Sequence, residues 1–285
     1  MRVASLLLVL ASGLVFGQPA PLDRALRLYQ STDYRKALEV LNPQSSQDPQ
    51  VLLLAGKSWF MLGEFKKSSE ILQRAVAVAP NQSDAHLWLG RAYGRRAETA
   101  SFLTAPHYAS LCRQSFEKAV ALDGSNVEAM NDLLEYYLEA PGIMGGGLDK
   151  AAALAERIGG RDPAEKHYAL ARVAEKRKEY QTAEQHLRRA SELAPQQIGR
   201  VVELARFLSK QGKVQESEKA FQQAETIAPN DPKLLFGRAK AYIEGKRNLE
   251  RARELLQQYL RADLTPDDPP RSEAERLLKQ AGAGS

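Results

Sequence analysis

The stretch APGIMGGGLDKA, residues 140–151, sets three consecutive glycines ahead of Asp149 and Lys150. A glycine-rich loop that opens a helix can cradle phosphate, because bare backbone N–H groups and the helix N-terminus both attract anions. That chemistry needs the spacing GxxxxGK[ST], with lysine and a hydroxyl directly after the last glycine. Here Leu148 and Asp149 follow Gly147, and no hydroxyl follows Lys150. A carboxylate at that point repels phosphate. The sequence instead predicts Asp149 as the N-cap of a helix starting at Lys150, its side chain accepting the free backbone N–H groups.

The other reactive residue types form no recognisable set. His86, His107, His167 and His186 fall on separate helical segments without a metal-ligand spacing such as HExxH. Cys112 is the sole cysteine, which excludes an internal disulfide, and it stands where a small core residue is expected. No residue pair has the nucleophile–base arrangement that covalent catalysis requires. The expectation is a protein without catalytic residues, metal or cofactor.

The elements that carry these residues follow from composition and pattern. The 285-residue chain is 44% hydrophobic and 26% charged, ordinary for a folded protein. Val3–Phe16 is an uncharged apolar run behind Arg2, too short to span a bilayer but long enough for a secretory signal. Residues 1–17 are therefore expected to be a signal peptide cleaved before Gln18, giving a periplasmic or secreted protein. The remainder carries 39 basic and 35 acidic residues, a surplus too small to indicate nucleic acid. Past Gln18 no segment shows strand alternation, and helical patterns are cut by breaks that recur. The phrases YQTAEQHLRRASELAP and VQESEKAFQQAETIAP end at Pro195 and Pro229, 34 residues apart, and FKKSSEILQRAVAVAP ends at Pro80 in the same manner.

This period and phrasing resemble the tetratricopeptide repeat family, whose unit is two antiparallel helices in 34 residues. The resemblance implies an all-α, right-handed α-solenoid of about seven units. They fall at 18–48, 49–82, 83–126, 127–163, 164–197, 198–231 and 232–266, followed by a capping helix at 270–281. The eighth residue of a unit lies at a close helix crossing and is small at Gly56, Gly90, Ala171, Ala205 and Ala239, with Leu134 departing. Second helices open on Ser68, Cys112, Ala151, Ala183, Ser217 and Ala252, and four residues later come Leu72, Phe116, Leu187, Phe221 and Leu256, with Ala155 departing. Ser272 and Glu275 have capping-box spacing at the head of the last helix.

Two insertions break the period. Ten extra residues between Tyr93 and Phe116 predict both helices of that unit lengthened by about five residues, or roughly 7.5 Å. Five more between Tyr137 and Ala155 include the glycine loop. Both lie at the turn within a unit, hence on one edge (residues 96–107 and 140–149), with Phe102, Tyr108, Ile143 and Met144 among their apolar side chains. Either these pack together, with Ile143 and Met144 tucked against the neighbouring lip, or they form an exposed docking edge; the first is favoured because exposed apolar patches are uncommon.

The resemblance also implies that the first helices line a concave surface that binds peptides. Its candidate groove residues are Lys57, Arg91, Arg95, Arg172, Lys176, Arg206, Lys210 and Lys240. Like charges four apart cost a helix about 0.2–0.5 kcal/mol, so Arg91 with Arg95, Arg172 with Lys176 and Arg206 with Lys210 invite a functional explanation. One reading is a basic stripe for an acidic peptide segment of a protein partner in envelope assembly or secretion. Another is a structural module whose groove binds an envelope polyanion. Against both, Glu135 and Glu139 stand at matching positions between Arg91/Arg95 and Arg172/Lys176, so stacked neighbours could neutralise one another. The oligomeric state is left open.

Overall fold

The computed structural model describes residues 21–282; the expected signal peptide, residues 1–17, lies outside them. Among the described residues the chain forms fifteen α-helices and no strand. They run as pairs: α1 (Pro21–Gln30) with α2 (Tyr34–Leu41), α3 (Pro49–Met61) with α4 (Phe65–Val78), and α5 (Ser83–Thr99) with α6 (Ala105–Leu122). Then come α7 (Val127–Glu139) with α8 (Leu148–Gly159), α9 (Pro163–Lys176) with α10 (Tyr180–Leu193), α11 (Ile198–Lys210) with α12 (Val214–Ile227), and α13 (Pro232–Glu244) with α14 (Leu249–Arg261). The chain closes on α15 (Arg271–Gly282).

The first helices are started by local chemistry. Asp48, Asn126, Asp162 and Asp231 each accept a backbone N–H of the following turn, and Pro49, Pro163 and Pro232 supply a preset first residue. In five of the seven pairs, those without an insertion, the turn includes a left-handed residue, Thr32, Gly63, Lys178, Gly212 or Lys246, and the last three of these are spaced 34 residues apart.

Pairs lock where small residues let helices touch. A methyl group on Gly56 would sit 2.4 Å from Leu72 Cγ, and one on Gly90 would sit 2.5 Å from Phe116 Cδ1. The buried hydroxyls at the same crossings are satisfied: Ser68 Oγ donates to the Gly56 carbonyl at 2.9 Å, and Ser217 Oγ to the Ala205 carbonyl at 2.8 Å. Leu134 and Ala155, the two residues that break the size pattern, are both fully buried in one cluster. The large residue has moved to the first helix and the small one to the second, which conserves volume.

The insertions lengthen α5 to 17 and α6 to 18 residues, against 13 and 14 in α3 and α4. Three expectations need correction. Asp149 is not the N-cap of α8: the helix starts at Leu148 behind Gly147, and Asp149 pairs with Arg177 at 2.9 Å. Ser272 is not a cap either, because α15 starts at Arg271 and its first bond runs from Glu273 N to the Pro270 carbonyl. The apolar insertion tips do not tuck in. Phe102 is 85%, Leu103 75% and Ile143 94% exposed. The reason for Ile143 is that the glycine turn is held through its own backbone groups and not through its apolar side chains. Tyr136 Oη donates to the Met144 carbonyl at 2.8 Å, and Gly147 N to the Tyr137 carbonyl at 2.9 Å. Gly146 passes so near Ala140 that a methyl there would lie 1.8 Å from its carbonyl oxygen. Tyr108 does pack, stacked on Tyr93 at 6.3 Å and beneath the Arg96 guanidinium, and Met144 is half-buried.

Candidate concave binding face

In the glycine loop the N–H groups of Gly145, Gly146 and Gly147 donate to carbonyls of this chain, and Lys150 Nζ donates to the Gly145 carbonyl at 2.9 Å, so the loop closes on itself. Among the described residues no group of three or more His, Cys, Asp or Glu side chains could hold a metal, and no helix is long and apolar enough to cross a membrane. Cys112 is buried, and burial pushes its thiol up to about 12, which keeps it protonated. The helix pairing brings together two histidines that sequence separates: His167 of α9 and His186 of α10 face each other with Nδ1 atoms 2.9 Å apart.

The eight candidate cations all lie on first helices, and Arg91, Arg95, Arg172, Arg206 and Lys240 line clefts of the concave face. Seven of them are already paired. Arg91 binds Asp132 at 2.5 Å and Glu128 at 2.8 Å, and Arg95 binds Glu98. Arg172 grips both oxygens of Glu135, each at 3.0 Å, and reaches Glu175 at 3.2 Å. Lys176 meets Glu139 at 2.6 Å and Arg206 meets Glu203 at 2.8 Å. Lys210 and Lys240 have looser partners, Glu175 at 3.9 Å and Glu273 at 3.6 Å. Lys57 alone lacks a carboxylate; its ammonium lies 5.0 Å above the Trp88 ring, and burial lowers its pKa. Burial raises the Asp132 carboxyl above its ordinary value, an effect that Arg91 only partly offsets.

Two features of this face go unnoticed in the sequence reading. The first is an aromatic floor. Phe60 meets Phe65 at 5.3 Å and Trp88 at 5.5 Å, edge to face, and all three rings are half-exposed. Arg91 covers Trp88 at 4.6 Å and Arg95 covers Phe65 at 5.0 Å, which holds the rings in place. Trp88 stands at the sixth position of its unit, three residues before Arg91 at the ninth, and that spacing is its signal in the sequence.

The second is the connector 262–270 between α14 and α15, ADLTPDDPP. It crosses the concave face instead of running outside it. Tyr259 donates to the Pro269 carbonyl, and Arg271 fastens to the carbonyls of Leu260 and Ala262. The connector thus becomes the far wall of two clefts. One, about 840 Å³, lies between the aromatic floor and Pro266, Asp268 and Pro270. The other, about 960 Å³, lies between α9, α11 and α13 and the same wall. A smaller cleft of about 500 Å³ separates the connector from Leu26 and Arg27 of α1, so the first and last units approach each other. Burial pushes the Tyr34 hydroxyl up to about 12, with Asp267 and Asp268 adding to the shift.

The tetratricopeptide repeat sequence profile matches residues 202–269. Among curated proteins, none matches this sequence. The fold is similar to a tetratricopeptide repeat protein from Parabacteroides merdae, with 12% identity, 92% of this chain and 97% of that one covered, and a TM-score of 0.60. A thermophilic tetratricopeptide repeat protein of Thermus thermophilus is 21% identical over 66% of this chain and 97% of its own, with a TM-score of 0.55. The APC/C hetero-tetramer Cut9–Hcn1 aligns with 93% of this chain and 49% of its own at 14% identity and a TM-score of 0.52. At these identities the structural likeness concerns the fold.

Proposed function

Since this chain is a tetratricopeptide-repeat protein, by sequence over residues 202–269 and by fold over the described residues, we propose that it is a protein–protein interaction scaffold holding an extended segment of its partner on the concave face. The observation that carries the reading is the cleft of about 840 Å³ whose floor is the half-exposed rings of Phe60, Phe65 and Trp88. Aromatic side chains left half-exposed in a concavity gain from being covered, and rigid ones lose little entropy when they are. No step of bond chemistry belongs to this role, and proteins of this family are generally scaffolds.

We place the scaffold outside the cytoplasm, on the strength of the apolar run Val3–Phe16. An acidic peptide or an envelope polyanion has weaker support as the ligand, because seven of the eight groove cations already hold carboxylates of this chain. The test is site-directed photo-crosslinking in the native host. A benzophenone side chain at Met61, in the cleft, should capture a discrete partner, whereas one at the exposed Gln114 of α6 should not. Equal capture from both positions refutes the concave-face reading. N-terminal sequencing of the exported protein should begin at Gln18; a chain beginning at Met1 refutes cleavage.

A further inference from the structure

We propose that the cleft between the aromatic floor and the connector takes an extended partner segment that alternates apolar residues with lysine or arginine. The inference rests on the concave-face reading above and reverses the charge that the row of groove cations suggests. The decisive contrast is between paired and unpaired groups. On the floor, Arg91 is engaged by Asp132 and Glu128, and Arg95 by Glu98. An incoming carboxylate would have to compete with these intramolecular partners, which are already held at hydrogen-bond distance. On the opposite wall the situation is inverted. Asp268, which lines this cleft, has no ion pair and accepts only from the N–H and hydroxyl of Thr265, each at 2.9 Å. Glu273, beside it, meets its cations only at 3.6 and 3.7 Å. An incoming ammonium or guanidinium therefore finds acceptors with free valence, whereas an incoming carboxylate finds the two guanidinium groups that line the cleft, Arg91 and Arg95, already in use.

The lining as a whole has the same sign. The carboxylates around this cleft are Glu98, Asp132, Glu135, Asp268 and Glu273, whereas its cations are Arg91 and Arg95. Low-dielectric walls focus such an imbalance into the cavity. The apolar half of the pattern comes from the floor: Lys57 and Arg91 already lie over the Trp88 ring, which leaves the edges of Trp88, Phe60 and Phe65 for aliphatic side chains of the partner. An extended strand turns alternate side chains to opposite sides, so one set meets the rings and the other meets the connector. The connector is prepared for this role. Pro266, Pro269 and Pro270 stiffen it, and Tyr259 and Arg271 fasten its end, so little ordering remains to be done on binding.

The experiment measures fluorescence anisotropy of the purified protein with three labelled nonapeptides that alternate leucine with lysine, with serine or with glutamate. The lysine peptide should bind on the order of tenfold more tightly than the serine peptide, the equivalent of about one well-made charge contact, and the glutamate peptide should bind most weakly. Raising salt from about 0.05 to about 0.3 M should narrow these differences, because exposed charges are screened. Asp268→Asn and Glu273→Gln, at the two acidic residues on the opposite wall, should each reduce the lysine preference and leave the serine peptide unchanged. Trp88→Ser should weaken all three. If the glutamate peptide binds best, or both of these variants keep the lysine preference, the charge assignment is wrong while the concave-face reading stands, provided Trp88→Ser still weakens binding. If no peptide binds, or Trp88→Ser has no effect, both readings fall.

Discussion

Gly90→Ala is the substitution whose sign the packing decides against local preference. Alanine stabilises a helix interior over glycine by about 0.8–1.0 kcal/mol, so on propensity alone the change within α5 should help. The new methyl group, however, would lie 2.5 Å from Phe116 Cδ1 and 2.6 Å from Cε1, distances that real methyl groups do not adopt. Phe116 is itself buried, so its ring can yield only by pushing α6 away. Overpacking of this kind costs about 1–3 kcal/mol. The net expectation is a loss of up to about 2 kcal/mol, read as a lower urea midpoint. Gly199→Ala serves as the control, because that glycine lies in α11 with nothing within 4 Å of the added methyl group. It should gain a few tenths of a kcal/mol up to about 0.8 kcal/mol. Phe116→Leu opens the space, and combined with Gly90→Ala it should show a coupling of about 1 kcal/mol in a double-mutant cycle. The close-crossing argument is refuted if Gly90→Ala stabilises as much as Gly199→Ala, or if the cycle is additive.

Three further outcomes are expected. Thr32→Gly and Lys178→Gly should each raise the thermal midpoint, since both residues hold positive φ (60° and 64°), a conformation costing side-chain-bearing residues about 1 kcal/mol; unchanged midpoints would refute the strain. Arg172→Glu should destabilise by about 1 kcal/mol by setting a carboxylate against Glu135 and Glu175. Adding Glu135→Arg should recover part of that loss, and no recovery would show that the pair contributes nothing in its half-exposed setting. Burial lowers the pKa of His167 and of His186, with Lys166 and Arg189 adding to the shift of His167 and Glu156 opposing it. A depressed histidine binds its proton more readily when unfolded, so stability is full above the ordinary value of 6.5 and falls as pH drops from there towards the folded values. His186→Gln should flatten the urea-midpoint profile in that window, and a profile as steep as that of the parent protein would refute the assignment.

The reading of the sequence reached the fold because the signals are local and repeated. The prolines 34 apart, the small residues at Gly56, Gly90, Ala171, Ala205 and Ala239, and the large ones four residues into each second helix report packing that each unit makes with its neighbour. The candidate site was legible only in part. The eight cations were found on the first helices, but their partners were not. Arg172 and Glu135 are 37 residues apart and Arg91 and Asp132 41 apart, so which carboxylate turns towards which guanidinium depends on the stagger between units. The same limit governs Ile143, whose apolar character suggested packing although the bonds of the Tyr136 hydroxyl and the Gly147 N–H hold the turn with Ile143 in water.

The sequence by itself determined the helical pairs, their order and the small-residue crossings, because those follow from contacts within one or two units. Only the tertiary structure decided that the connector crosses the concave face, that its Asp268 stands without an ion pair opposite an aromatic floor, and that seven of the eight groove cations are spent within the chain. Asp268 and Trp88 are far apart in the chain, and what brings them to one cleft is the accumulated turn of the solenoid. That turn is a sum of small rotations between neighbouring units, which no single repeat encodes.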